Sequence, residues 1–248
     1  MKPLRIFIGW DSREDIAYQV CKASLEAHSS IALDIRPLKQ EELRHRGLYW
    51  RAPDKLSSTE FSFTRFLTPY LADFRGWVIF VDCDFMFRKD IAGILEYCDS
   101  LKALHCVQHD YRPTEKVKMD GQVQLLYPRK NWSSLMLINA GHTKIKALTP
   151  DLVNTDSGLN LHRFNWLEEQ DIGTLPLDWN YLEGWYTSKD SVDPCAVHFT
   201  RGGPWHEDWQ EVEYASEWNA LREQCRNGFT DQKLQYPSGI SEFLQQSR

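Results

Sequence analysis

Two carboxylates one residue apart, Asp82 and Asp84, follow the apolar run Trp77–Val81. Such a run is typical of a central strand buried in a parallel sheet, and ligands of open α/β sheets gather where these strands end. Side chains alternate along a strand, so both carboxylates are expected on one side, within reach of one ion. Their hard oxygen ligands suit Mg²⁺ or Mn²⁺, with phosphate oxygens completing the coordination. The alternative is a solvated turn after the strand.

The elements that position such a pair begin at the N-terminus. Residues 4–9 predict a strand, and residues 12–15 predict a capping-box start for a helix that leads to a second strand at 31–35. This order is the first half of a nucleotide-binding βαβ unit. Asp11 lies in the first turn, either as a turn former or as a contact for the base or ribose of a nucleotide. The turn has neither a Gly-x-Gly-x-x-Gly pattern nor a P-loop lysine, which disfavours a dehydrogenase or a kinase.

The remaining elements follow from hydrophobic spacing. The segment 40–60 is polar and predicts irregular structure, whereas 61–71 has a helical pattern that Pro69 ends or kinks. Further elements are predicted in this order: a helix at 91–97, a strand at 103–108, a polar stretch at 109–121, a strand ending at Asn139, and an amphipathic helix at 207–224.

Composition excludes several classes of protein. The chain has 248 residues, and 29 Lys and Arg against 35 Asp and Glu give a net charge of −6, which offers no basic footprint for nucleic acid. The six cysteines form no Cys-x-x-Cys pair, so we expect reduced thiols in a cytoplasmic protein. No apolar span is long enough for a transmembrane helix, and a peripheral membrane contact is left open.

The stretch "WVIFVDCDF" resembles the metal-binding Asp-x-Asp element of nucleotide-sugar glycosyltransferases with the GT-A fold, specifically family 8 and its relatives. The main rival is the haloacid dehalogenase-type phosphatase motif. Met86 stands where that motif has Thr or Val, and the pair lies well inside the chain rather than on its first strand. Both features count against a phosphatase.

The resemblance implies roles for particular residues. Asp82, Asp84 and His198, which precedes a Gly-Gly-Pro-Trp turn, match the family's ligands for Mn²⁺ or Mg²⁺. Arg201 is the available substitute for a diphosphate-binding lysine that this chain lacks.

The nucleotide and sugar contacts are implied in the same way. The opening "IFIGWDSREDIAYQV", which contains Asp11, resembles the family's base-binding turn. Arg65 resembles an arginine that faces the donor sugar or its phosphates, the alternative being a surface helix arginine. Asn139 in "NAG" matches a donor-sugar contact, and Gln170 and Asp171 in "EEQD" match the family's catalytic segment.

The predicted fold is therefore α/β, a GT-A-like single domain. A Rossmann-like nucleotide-binding half with a mostly parallel central sheet (about 1–110) is fused to an acceptor-binding half (about 111–206). Residues 207–248 are expected to form a C-terminal helical extension packed on the same domain.

The implied activity is a metal-dependent, hexosyltransferase-like transfer of sugar from a nucleoside diphosphate donor, a UDP-sugar, to a carbohydrate, glycolipid or other hydroxyl acceptor. The resemblance also implies retention of the anomeric configuration, although Glu169, Asp171 and Asp178 are carboxylates that an inverting enzyme could use as its base. The alternatives are a nucleotidyltransferase that forms sugar nucleotides and a catalytically silent carbohydrate- or nucleotide-binding relative.

Overall fold

A computed structural model describes residues 2–52, 58–110, 129–186 and 193–226. Its main sheet has six strands in the order β2-β1-β3-β6-β5-β7. These are β1 (Leu4–Gly9), β2 (Leu33–Leu38), β3 (Trp77–Val81), β5 (Leu104–Cys106), β6 (Leu135–Asn139) and β7 (Ile172–Thr174). Only β6 runs against its neighbours β3 and β5, and the other pairs are parallel. The predicted α/β class with a mostly parallel central sheet is confirmed.

A smaller sheet in the order β4-β9-β8 lies beyond the end of β3. It consists of β4 (Phe85–Phe87), β8 (Tyr181–Leu182) and β9 (Ala196–His198). The chain passes from β3 into β4 through the short turn that contains both carboxylates. Because β4 belongs to the second sheet, the carboxylates lie where the two sheets meet.

The helices are short except for the two that pack against each other. These helices are α1 (Asp15–His28), α2 (Gln40–His45), α3 (Thr68–Leu71), α4 (Pro150–Thr155), α5 (Gly158–His162) and α6 (Ala215–Arg226), and the predicted 91–97 segment is a 3-10 helix, Ile91–Tyr97. Helix α1 contacts α6 and β4. Val20, Met86, Val197 and Trp218 form a buried cluster between these elements. The C-terminal helix therefore packs on the same body as the first βαβ unit.

Several local predictions were wrong. Helix α1 begins after Glu14 without a side-chain cap, because Ser12 hydrogen-bonds to the Glu60 carboxylate instead of capping the helix. The segment 40–60 contains the helix α2, and Pro69 lies in the first turn of α3, where its missing N–H costs nothing, rather than at a helix end. The second strand lies at Leu33–Leu38 rather than 31–35, and α6 begins eight residues after the predicted position 207.

The predicted division at residues 110 and 206 stays a prediction. The polar stretch beyond residue 110 and the tail after residue 226 lie outside the described residues. No helix in the described ranges is long and apolar enough to cross a membrane.

Candidate active site

The turn between β3 and β4 fixes both carboxylates through its backbone. The Asp82 N–H donates to the carbonyl oxygen of Ser134 beside β6, at 2.9 Å. The Asp84 carbonyl accepts from the N–H of Phe199, just after β9, at 3.0 Å. Cys83 between them is fully buried, while the carboxylate side chains are 14% and 21% exposed. The pair is thus anchored to both sheets and faces a shared, partly buried space rather than bulk solvent.

His198 completes a cluster with this pair. It ends β9 directly opposite Phe85, and its ring stacks on the Phe85 ring with centroids 4.2 Å apart. Its Nε2 lies 3.3 Å from an Asp84 carboxylate oxygen. One potential ligand atom from each of Asp82, Asp84 and His198 lies within 4.8 Å of the others. The structure therefore brings together the three residues that were expected to bind a metal.

The electrostatics of the cluster suit a cation. Burial raises the pKa of Asp82 to about 7, against the pull of Arg65, and the charge of Asp84 adds to the rise. Burial also acts to raise the pKa of Asp84, but the charge and hydrogen bond of His198 outweigh it and hold this pKa below its usual value. Two carboxylates and an imidazole within one ion's reach form a donor set that could hold a divalent metal ion.

Arg65 belongs to the same cluster. It lies in a 3-10 helix, Thr64–Leu67, and is only 6% exposed. Its Nη1 is 2.8 Å from an Asp82 carboxylate oxygen and 3.0 Å from the carbonyl oxygen of Ser133. The rings of Phe61 and Phe80 lie 5.3 and 5.1 Å from the guanidinium carbon. The surface-arginine alternative is therefore excluded, because Arg65 is a rigid, buried cation at the carboxylates.

Asp11 is engaged within its own loop. Its carboxylate is buried and accepts hydrogen bonds from the backbone N–H groups of Arg13 and Glu60 and from the Arg13 guanidinium. Burial acts to raise the pKa of Asp11, but these hydrogen bonds hold it below its usual value. These contacts favour the turn-forming interpretation, and a contact with a nucleotide base or ribose stays a prediction.

Arg201 lies in the loop after β9. Its guanidinium is 3.6 Å from the buried carboxylate of Glu183 and lies over the ring of Trp209, 4.9 Å from its centroid. The N–H of Glu183 bonds to the carbonyl oxygen of His198. Arg201 is therefore near the His198 end of the small sheet, and its phosphate contact stays a prediction.

Three other predicted site residues lie at the opposite edge of the main sheet. Asn139 pairs with Trp77 at the start of β3, and its N–H bonds to Ala103, whose N–H bonds in turn to Asp171. Five residues of β3 separate this row from Asp82, which is about 16 Å at strand rise. The reason is the direction of β6: it is antiparallel to β3, so its last residue returns to the edge where β3 begins. The structure does not bring Asn139, Gln170 or Asp171 to the carboxylate cluster.

The contacts of Asp171 indicate a structural role at the start of the 3-10 helix Glu169–Asp171. Its carboxylate accepts from the N–H of Glu168 at 2.8 Å and from Nζ of Lys144 at 2.7 Å, and Glu168 completes a reciprocal capping box. Burial acts to raise the pKa of Asp171, but Lys144 and these hydrogen bonds lower it. Gln170 is exposed and bonds to the Glu168 carboxylate. The geometry gives Gln170 and Asp171 no part in chemistry at the cluster.

Two buried residues beside His198 were not predicted. The side-chain oxygen of Asn180 lies 2.9 Å from Nδ1 of His198, and its Nδ2 lies 2.9 Å from Oγ of Ser134. His109 bonds through Nδ1 to the hydroxyl of Tyr186, and burial, with the charge of His198, lowers the pKa of His109 to about 3. An asparagine in "LDWNY" also fits an ordinary turn, so the sequence carries no signal for its contact.

Comparisons with known proteins place the fold. No family model matches the chain. The structure of the bifunctional glycosyltransferase WbbM aligns with a TM-score of 0.64 and 13% sequence identity. The apo structure of GlyE from Streptococcus pneumoniae TIGR4 aligns with a TM-score of 0.60 and 16% sequence identity. The galactosyltransferase LgtC, in complex with donor and acceptor sugar analogues, aligns with a TM-score of 0.55 and 14% sequence identity. The alignments cover 89%, 97% and 89% of this chain. They span 49% of WbbM, 66% of GlyE and 96% of LgtC.

These likenesses establish that the chain has the GT-A-like fold of glycosyltransferases. Among curated proteins, Protein CDI of Arabidopsis thaliana is 54% identical over 220 residues, which is 88% of this chain and 85% of that protein. The chain belongs to the family of Protein CDI.

Proposed function

We propose that this chain is a metal-dependent glycosyltransferase that moves a sugar from a nucleoside diphosphate donor, a UDP-sugar, to a hydroxyl acceptor. One observation carries the proposal: the cluster of Asp82, Asp84 and His198 at the end of β3, in a GT-A-like fold. LgtC, which shares that fold, has been solved with donor and acceptor sugar analogues. A carbohydrate, glycolipid or other hydroxyl compound is the corresponding acceptor class here.

Asp82, Asp84 and His198 would hold Mn²⁺ or Mg²⁺ in this scheme. The ion would supply positive charge that binds the donor diphosphate and stabilises it as the leaving group. Without it, each carboxylate–phosphate pair at about 5 Å repels by roughly 3 kcal/mol at an effective dielectric of about 20. The donor set therefore predicts that nucleotide binding requires the metal.

Arg65 is the chain's own cation at this position. Its ion pair with Asp82 at 2.8 Å partly neutralises the carboxylates, and a donor phosphate or sugar hydroxyl would extend its contacts. Because Phe61, Phe80 and the Ser133 carbonyl fix the guanidinium, it needs little reorganisation when a donor binds. Arg201 is proposed as a second phosphate contact, which requires it to exchange Glu183 for the donor.

We further propose retention of the anomeric configuration. An inverting enzyme needs a base placed across the sugar from the leaving group. Glu169 and Asp171 lie at the opposite edge of the sheet, and Asp178 accepts from the thiol of Cys195 at 3.2 Å. Neither Glu169 nor Asp171 faces the cluster as a free base. Retention by transfer on the face from which the diphosphate leaves needs no such group.

The test is a screen of nucleotide-sugars for hydrolysis and transfer with Mn²⁺, Mg²⁺ or chelator. The proposal predicts metal-dependent turnover of a UDP-sugar, and NMR of the first-formed product from an α-linked donor should show an α-linkage. Pyrophosphate release from a nucleoside triphosphate and a sugar phosphate would instead identify a nucleotidyltransferase. Metal-dependent UDP binding without turnover of any donor would identify a catalytically silent relative.

A further inference from the structure

Asn180 lies completely buried between His198 and the segment before β6. Its Oδ1 faces Nδ1 of His198 at 2.9 Å, and its Nδ2 faces Oγ of Ser134 at 2.9 Å and the carbonyl oxygen of Asn131 at 3.5 Å. The direction of each hydrogen bond can be worked out from these partners.

Ser134 fixes the amide of Asn180. Its hydroxyl donates its one hydrogen to the carbonyl oxygen of Asn131 at 2.7 Å, so towards Asn180 its oxygen can only accept. The carbonyl of Asn131 also only accepts. The group of Asn180 that faces both of them is therefore the NH₂, and Oδ1 must face His198.

The orientation of Asn180 in turn fixes the proton of His198. An amide oxygen only accepts, so the hydrogen bond at 2.9 Å requires a proton on Nδ1 of His198. A neutral imidazole with Nδ1 protonated carries its lone pair on Nε2. That nitrogen lies 3.3 Å from the Asp84 carboxylate and is the atom that faces the cluster.

We propose that Asn180 is a positioning residue that sets the tautomer and ring orientation of His198, so that Nε2 presents a lone pair to a divalent cation at Asp82 and Asp84. The purpose of this arrangement rests on the proposed function, whereas the tautomer itself does not. Without Asn180, a neutral ring protonated at Nε2 would keep its hydrogen bond to Asp84 and would block the ligand position.

The first measurement is the ¹⁵N NMR spectrum of His198 in metal-free protein at pH 8, assigned by its loss in His198→Gln. Nδ1–H is expected in the wild-type protein and in Asn180→Asp, which keeps an acceptor for that proton. Nε2–H is expected in Asn180→Ala. A wild-type ring without a proton on Nδ1 overturns the proposal, as does a neutral ring that keeps Nδ1–H in Asn180→Ala. If Asn180→Ala does not fold, the wild-type spectrum still decides.

The second measurement is Mn²⁺ binding followed by electron paramagnetic resonance. Asn180→Ala should bind Mn²⁺ about 10- to 100-fold more weakly, as expected on loss of a residue that orients a ligand, and Asn180→Asp should retain affinity. Asn154→Ala is the matched control, because the hydrogen bonds of this buried asparagine go to the backbone at 48–51 and at Pro150. Equal Mn²⁺ affinity in Asn180→Ala and wild type overturns the positioning role.

Failure of the proposed function has a different signature. If the wild-type protein binds no Mn²⁺, the cation site is wrong and the purpose assigned to the tautomer falls with it. An Nδ1–H signal in that same protein would still support Asn180 as the residue that sets the tautomer.

Discussion

Glu14 lies partly buried beside Cys83, which stands between Asp82 and Asp84 in the sequence, and this position leads to a prediction about stability. It precedes helix α1, its side chain is 22% exposed, and its carboxylate lies 3.6 Å from the thiol of Cys83 and 3.7 Å from Nε2 of His206. Burial raises the pKa of Glu14 to about 7, and the charges of Asp84 and Asp11 add to the rise. The folded protein thus holds this proton more tightly than the unfolded chain does.

The direction and the size of the change in the free energy of unfolding with pH follow from proton linkage. A glutamate in an unfolded chain titrates near pH 4.3, so the stabilisation from the raised pKa is fully present below about that pH. It is lost as the pH rises towards about 7, the folded-state value. Between pH 5 and pH 8 this group alone should lower the free energy of unfolding by about 2.5 kcal/mol.

The assay is urea denaturation at both pH values, with chelator present, for wild type and Glu14→Gln. Glu14→Gln should lose about 2.5 kcal/mol less than wild type between the two pH values. Asp82 contributes a loss of the same sign in both proteins, so their difference isolates Glu14. Glu26→Gln, on an exposed part of the same helix, should behave as wild type. An identical pH dependence in wild type and Glu14→Gln would show that Glu14 does not hold a raised pKa in the folded protein.

Three further predictions concern the cluster and its surroundings. Asp84→Asn should abolish the rise in Tm that Mn²⁺ gives to the wild-type protein, because it removes one of three ligands; an undiminished rise contradicts this. Arg65→Met should cost about 3–5 kcal/mol of stability at pH 8, because it leaves Asp82 buried without its partner, and Mn²⁺ should restore part of the loss. Unchanged urea denaturation would argue against that ion pair. Asp171→Asn should cost about 1 kcal/mol through its capping box and leave Mn²⁺ binding intact, as measured by urea denaturation and electron paramagnetic resonance. Lost Mn²⁺ binding would place Asp171 at the cluster after all.

The parts of the site that the sequence predicts are those that depend on local pattern. An apolar run that ends in two alternating carboxylates predicts β3 and its functional end. The segment "CAVH" before a Gly-Gly-Pro turn predicts β9, the strand that ends at His198. The helix α2 was missed because its residues carry few apolar side chains and only Leu43 is buried.

The misplaced residues depend on strand direction, which local sequence does not encode. Asn139 ends an apolar strand just as Asp82 follows one, and nothing in either run shows that β6 is antiparallel to β3. The edge of the sheet on which a strand ends is decided by long-range pairing. Asn180 was missed for a related reason, since its partners Ser134 and His198 are 46 and 18 residues away.

Asp82, Asp84 and His198 are proposed to bind a divalent cation together with a nucleoside diphosphate. Calorimetric titration of UDP into the wild-type protein, once with Mn²⁺ and once with chelator, tests it most directly. UDP binding should depend on Mn²⁺ and should be lost when the metal is removed. Equal UDP affinity with Mn²⁺ and with chelator would contradict it.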